Sequence, residues 1–229
     1  MNTILQTPTN NLQSSIDFYS KLGFTVLSKK SPTIVSDRKV FIEINDDRFA
    51  RAGVKMYRSD WSAVINKLEQ HTSLIQIDNG YVLNDGNGVW VYLIEEESPY
   101  DFKAAEASTS ALGSAAGISL ESIGIEQSIT IWELLGFSKT MGNLDQGWIS
   151  FENDDKVALS IMKANVCPHL FFNPSLSYFN GGKNEKIIAN IRKLNIPITE
   201  EITHFNAEGI VDNIIIRDPG GLGFFIFND

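Results

Sequence analysis

Few side chains in this sequence are suited to covalent or metal chemistry. There is one cysteine, Cys167, and there are three histidines, His71, His169 and His204. A thiol becomes a nucleophile when a neighbouring base or cation lowers its pKa. No His or Lys stands at a known catalytic spacing from Cys167, so it reads as a small buried or half-buried thiol rather than a nucleophile. A single cysteine excludes an internal disulfide and a multi-cysteine metal site, which agrees with a reducing compartment. His71 falls at a helix end, His169 in a connection and His204 late in a strand or loop, positions that suit surface or structural histidines better than ligands. Asp46-Asp47 and Asp154-Asp155 are acidic pairs at turns that lack the spaced oxygen ligands of a calcium site, so they read as solvated turns. Gly221-Leu222-Gly223 has no following helix and so makes no phosphate loop, and no Gly-x-Ser-x-Gly elbow is present. Catalytic residues are therefore left unassigned.

The elements that would position a site repeat along the chain. Ser15 to Phe24 (SIDFYSKLGF) is echoed by Ser128 to Phe137 (SITIWELLGF). In each, an Ile, an aromatic and a Leu recur every three residues (Ile16, Tyr19, Leu22; Ile129, Trp132, Leu135), which lines one helix face, and the glycine is placed to end the helix before a strand. Lys39 to Ile44 matches Lys156 to Ile161, both alternating as half-buried strands do. Asp85 to Ile94 matches Asp218 to Phe227, an Asp- and Gly-rich turn leading into an apolar strand.

Within each half the pattern doubles again. Strands near 3–8, 24–29, 33–36 and 39–45 surround a helix at 12–22. A strand at 53–58, a helix at 60–70 begun by Asp60 and faced by Trp61, Val64 and Leu68, and strands near 73–77, 80–84 and 88–95 follow. The second half places a strand at 175–180 and a helix at about 183–194. The small-residue stretch around Ala104 to Ala111 reads as a linker, giving expected domains of 1–97 and 116–229 joined by 98–115.

Hydrophobic residues make up 43% and charged residues 21% of the 229 residues, a globular balance. A formal charge of −9 with no Lys/Arg run disfavours nucleic acid and anionic membranes as partners. No stretch approaches the roughly 20 apolar residues that span a bilayer, and Met1-Asn2-Thr3-Ile4 opens no export signal, so a soluble, cytoplasmic protein is expected.

Taken in order, Leu12 to Phe24 with its Phe-Tyr and Leu-Gly-Phe ending, the two Asp-Gly turns with their final strands, and the fourfold strand–helix–strands pattern resemble the glyoxalase/bleomycin-resistance/dioxygenase (vicinal oxygen chelate) superfamily as a tandem member. The resemblance covers nearly the whole chain except the linker. It implies an α+β fold of four βαβββ modules in two glyoxalase/bleomycin-resistance-like domains, each a curved mixed sheet around a cleft. It also implies metal-ligand positions on three inward strand sites, which fall here on Ile4, Gly53 and Tyr92 in the first half and on Gly117, about Ser175, and Phe225 in the second. None of these is a competent ligand set of His, Glu or Gln, so no metal and no other cofactor is expected.

The same resemblance points to the residues that would line the clefts: Gln6, Glu43, Tyr57, Trp90 and Tyr92 in the first half, and Ser119, Trp148, Ser177 and Phe225 in the second. Lys55 would point the same way as Tyr57, and Tyr92 offers a phenol where a metal-binding carboxylate would otherwise sit. Aromatic walls with few charges suit a small, partly apolar molecule bound without a metal; the same aromatics also serve as core. The alternative is a lyase, isomerase or dioxygenase of the same superfamily acting on a small oxygenated substrate. A third reading, a scaffold using its aromatic strands for contact, predicts filled clefts and an exposed apolar face. The two halves can pair with each other in a monomer, or the chain can form a homodimer.

Overall fold

The computed structural model describes residues 2–28, 30–98 and 100–228. Lys29, at the end of the expected strand 24–29, and Pro99, in the expected linker, lie outside the described residues.

The first half runs β1 (Asn2–Pro8), α1 (Leu12–Lys21), β2 (Thr25–Ser28), β3 (Thr33–Ser36), β4 (Phe41–Asn45), then β5 (Gly53–Tyr57), α2 (Ser62–Leu68), β6 (Leu74–Ile77), β7 (Gly80–Asn84) and β8 (Trp90–Ile94). The second half repeats the order with β9 (Ala115–Ser122), α3 (Ile125–Leu134), β10 (Ser138–Asn143), β11 (Trp148–Glu152), β12 (Ala158–Lys163), β13 (Ser175–Phe179), α4 (Asn184–Lys193), β14 (Ile198–Ile202), β15 (Asn213–Arg217) and β16 (Gly223–Phe227). Each half forms one eight-stranded mixed sheet, ordered β2-β3-β4-β1-β5-β8-β7-β6 and β10-β11-β12-β9-β13-β16-β15-β14. Within each βαβββ module the first and last strands pair in parallel, and the two modules of a half join through antiparallel β1/β5 and β9/β13.

Local chemistry sets the element ends. Asn11 caps α1 by accepting the Ser14 N–H at 3.0 Å. At the other end Gly23 takes a left-handed φ of +85°, and its N–H and that of Phe24 reach back to Ser20 O and Tyr19 O. Gly136 repeats this after α3 with φ +94°, the Schellman arrangement that an L side chain would strain. The expected strand 39–45 starts only at Phe41, because Asp37 Oδ1 accepts the N–H groups of Lys39 and Val40 and turns them out of the ladder. Helix α2 is also shorter than 60–70: Asp60 accepts the Ser62 N–H at 2.7 Å just outside it.

One hydrophobic core runs through both halves, with Tyr19, Leu22, Trp61, Leu68, Trp132, Leu135, Ile188 and Ile191 from the four helices among its buried members. Phe18 and Tyr19 of α1 meet Phe224 of β16 with ring centroids 6.2 Å apart. The Asp turns tie the halves further. Asp218 is buried; it accepts the Leu222 N–H of its own turn and, across the molecule, the hydroxyls of Tyr19 and Thr7, both at 2.8 Å. Asp37 likewise accepts the Tyr178 hydroxyl of the other half at 3.0 Å. The segment between β8 and β9 is packed rather than free, with Phe102 and Leu112 buried and Ala105, Thr109 and Ala111 donating backbone hydrogen bonds to Arg38, Asp37 and Leu22.

Candidate functional site

On the concave face of the first sheet, alternation along the strands turns Ile4 and Gln6 of β1, Glu43 and Asn45 around β4, Lys55 and Tyr57 of β5, and Tyr92 of β8 toward one another. The register corrects one expectation. Ile4 pairs with Lys55 and Lys55 with Tyr92, whereas Gly53 pairs with Gln6 and Trp90, so Ile4, Gly53 and Tyr92 do not share a row. Lys55, not Gly53, stands between Ile4 and Tyr92, because β5 is set two residues along from the sequence alignment.

Lys55 Nζ lies 2.5 Å from Glu43 Oε1, with the two side chains 12% and 2% exposed. Around the pair, Asn45 Nδ2 donates to Gln6 Oε1 at 3.1 Å and Gln6 Nε2 donates to Arg51 O at 3.0 Å. The Arg51 N–H donates to the Tyr92 hydroxyl at 3.1 Å. Burial, and next the Glu43 carboxylate, push the Tyr57 phenol well above its usual range, so it stays a protonated donor. Burial likewise raises the Tyr92 phenol. Above this network Phe102 packs on Phe41 at 5.0 Å and Tyr57 at 6.4 Å, with Tyr100 beside it at 5.6 Å. Gln6, Glu43, Tyr57 and Tyr92 are thus brought together and covered by the connecting segment. Trp90 stays one row away, level with Gly53 and Gln6.

The concave face of the second sheet is built differently. Ser119 Oγ and Ser177 Oγ share a hydrogen bond of 2.7 Å, Ser175 Oγ donates to Ser119 O at 3.1 Å, and Ser177 pairs with Phe225 across the ladder. The loop before β13 folds back over this face: His169 lies 5.4 Å from Phe225 and 5.1 Å from Phe227, and Phe171 lies 4.8 Å from Phe225. Trp148 pairs with Met162, which pairs with Glu121, so it sits two strands from Ser119 and apart from that cluster.

Neither face suits a divalent metal. Glu43 is the one anionic donor in the first network, and its carboxylate already holds an ammonium. A divalent ion about 4 Å from that ammonium would meet roughly 8 kcal/mol of repulsion at an effective dielectric of 20. The second face offers neutral hydroxyls already bonded to one another. Among the described residues no three His, Cys, Asp or Glu side chains gather to hold a metal.

Open space lies elsewhere, in a cavity of about 450 Å³ between the two halves. Its walls come from equivalent pieces of the repeat: β1 residues Asn2 to Leu5 and β9 residues Ala115 to Ile118, with the turns Lys39 to Phe41 and Lys156 to Ala158. The matched registers Leu5↔Ile42 and Ile118↔Leu159 make Lys39 the counterpart of Lys156 and Phe41 the counterpart of Ala158. The second half leaves the room, because Gly117 and Ala158 stand where the first half has Ile4 and Phe41. Gly117 admits no larger residue: at φ +145° a Cβ would fall 2.5 Å from Ala158 O. Phe102 and Ala104 to Glu106 close the space from the connecting segment.

None of the nine cleft residues expected from sequence lines this cavity. The signal that marks it was in the matched Lys39-Val40 and Lys156-Val157 pairs, which line one space only once the halves dock.

No protein-family model matches the chain. No curated protein matches it either. Solved structures do. An extradiol ring-cleaving dioxygenase from B. fuscum aligns with a TM-score of 0.59 at 14% identity over 99% of this chain and 70% of that one. Homoprotocatechuate 2,3-dioxygenase from Arthrobacter globiformis gives 0.59 at 13% identity over 99% and 78%. A Mn(II)-bound glyoxalase from Novosphingobium aromaticivorans gives 0.56 at 12% identity over 98% and 80%. These likenesses establish the fold.

Proposed function

We propose that this chain, which has the fold of the vicinal oxygen chelate superfamily, binds a small, largely apolar molecule without a metal and does so in the cavity between its halves. The cavity itself carries this reading: about 450 Å³ falls within the roughly 300–1,000 Å³ typical of small-molecule pockets. Both concave faces are occupied by the chain's own side chains, the first by Phe102 over an ion pair and the second by His169 and Phe171 over paired serines. Binding would act by sequestration.

The test is a titration with N-phenyl-1-naphthylamine, a neutral dye that fluoresces in apolar surroundings, in the presence of EDTA. Saturable enhancement at one dye per chain is expected, and Ala116→Phe or Ala105→Trp should abolish it while far-UV circular dichroism is unchanged. Enhancement that survives both fillings, or that needs an added divalent metal, would refute the proposal.

A further inference from the structure

We infer that the molecule taken by this cavity is an apolar carboxylate, anchored through Lys39; this rests on the binding reading above. Lys39 is half-buried in the cavity wall, and its Nζ donates to Ala115 O at 2.6 Å. An ammonium has three donors, and one neutral carbonyl meets one of them. Its counterpart Lys156 is placed quite otherwise, 77% exposed and paired with Glu152 at 2.9 Å. Asp155, on the opposite wall, accepts the Thr3 hydroxyl at 3.2 Å. Glu106 is exposed on the rim. Among the described residues Lys39 is therefore the cavity-lining cation with no carboxylate within ion-pair distance.

Withdrawing an ammonium from water is unfavourable unless a counter-charge replaces the lost hydration. An anionic group entering beside Ala115 O would supply that charge and take the two free N–H donors, and charge-assisted bonds of this kind are the strong ones. The remaining surface selects the body of the ligand. Ala104, Ala115, Ala116 and Gly117 form a low, smooth wall, and Phe41 and Phe102 form an aromatic one, which together suit a flat ring system. The net charge of −9 slows the approach of any anion. Lys39 acts at contact, inside the wall, where screening by water is weakest.

Isothermal titration with 2-naphthoate and with uncharged 2-naphthamide, both with EDTA, separates the possibilities. The carboxylate is expected to bind at least ten-fold more tightly than the amide. Lys39→Met should erase that preference while leaving the amide within two-fold, and Lys39→Arg should keep it. Equal affinities for the two compounds, both lost in Ala116→Phe, would overturn the role of Lys39 and leave the cavity as a binding site. Absence of binding by either compound, or binding undiminished in Ala116→Phe, would remove the cavity reading as well.

Discussion

Replacing Lys55 by Met keeps most of the aliphatic stem and deletes the ammonium from the first concave face. The carboxylate left behind is 2% exposed, and the donors that remain beside it are the Tyr57 hydroxyl and Asn45 Nδ2, the latter at 3.4 Å. Removing one partner of a buried pair costs about 3–5 kcal/mol. Reorientation of Asn45 and Gln6 toward Glu43 can recover about 1 kcal/mol, the net worth of one hydrogen bond. The expected loss is thus about 2–4 kcal/mol. In urea unfolding followed by tryptophan fluorescence, a slope of about 2–3 kcal/mol/M turns this into a midpoint lowered by about 1 M with the slope unchanged. The double variant Glu43→Leu/Lys55→Met, which leaves no buried charge, should return to within about 1 kcal/mol of the parent. A Lys55→Met midpoint equal to the parent's at neutral pH would show that the ammonium is solvated rather than paired. That result would also remove the electrostatic ground for excluding a divalent ion from this face.

Two further outcomes test how the halves are joined. Tyr19→Phe deletes the buried 2.8 Å hydrogen bond to Asp218 Oδ2 while Thr7 and the Leu222 N–H remain. A hydrogen bond to a charged group contributes about 1.5–3 kcal/mol, so calorimetry should show a melting temperature lower by roughly 3 °C or more; an unchanged value would mean the clasp contributes nothing. Burial pushes the Asp218 carboxyl above its ordinary 3.8 despite the donors around it, and does the same to Asp85. A raised native pKa means the folded state holds the proton more tightly than the unfolded one, so this contribution is full below 3.8 and is lost as pH rises through the native value. Asp218→Asn cannot ionise, and its stability relative to the parent should therefore improve as pH rises across that window; a difference independent of pH would refute the assignment.

Asp85 shows how far the repeat is obeyed and where it stops. Like Asp218 it caps its own turn, accepting the Asn87 and Val89 N–H groups, and Trp132 of α3 approaches it as Tyr19 of α1 approaches Asp218. Burial raises the Asp85 carboxyl's pKa, and neither Trp132 Nε1 nor Asp85 Oδ2 completes a hydrogen bond. The pairing of aromatic helix residue with turn aspartate thus follows the sequence repeat, while the hydrogen bond is completed at Tyr19–Asp218 and not at Trp132–Asp85.

The sequence by itself determined the modules: helices with their apolar faces, glycine caps at Gly23 and Gly136, alternating strands, Asp turns, and the duplication that makes two eight-stranded sheets. These features rest on interactions within a few residues, so periodicity and turn chemistry express them directly. It also placed Gln6, Glu43, Tyr57 and Tyr92 on one face and Ser119, Ser177 and Phe225 on another. Only the tertiary structure decided that Lys55 neutralises Glu43, that Phe102 covers the pair, and that the open space lies at the seam. Those contacts join residues such as Lys39 and Ala115, 76 positions apart, or Thr7 and Asp218, 211 apart. Their meeting depends on how two hydrophobic faces dock, and a local pattern of residues carries the existence of such faces but not the register in which they settle.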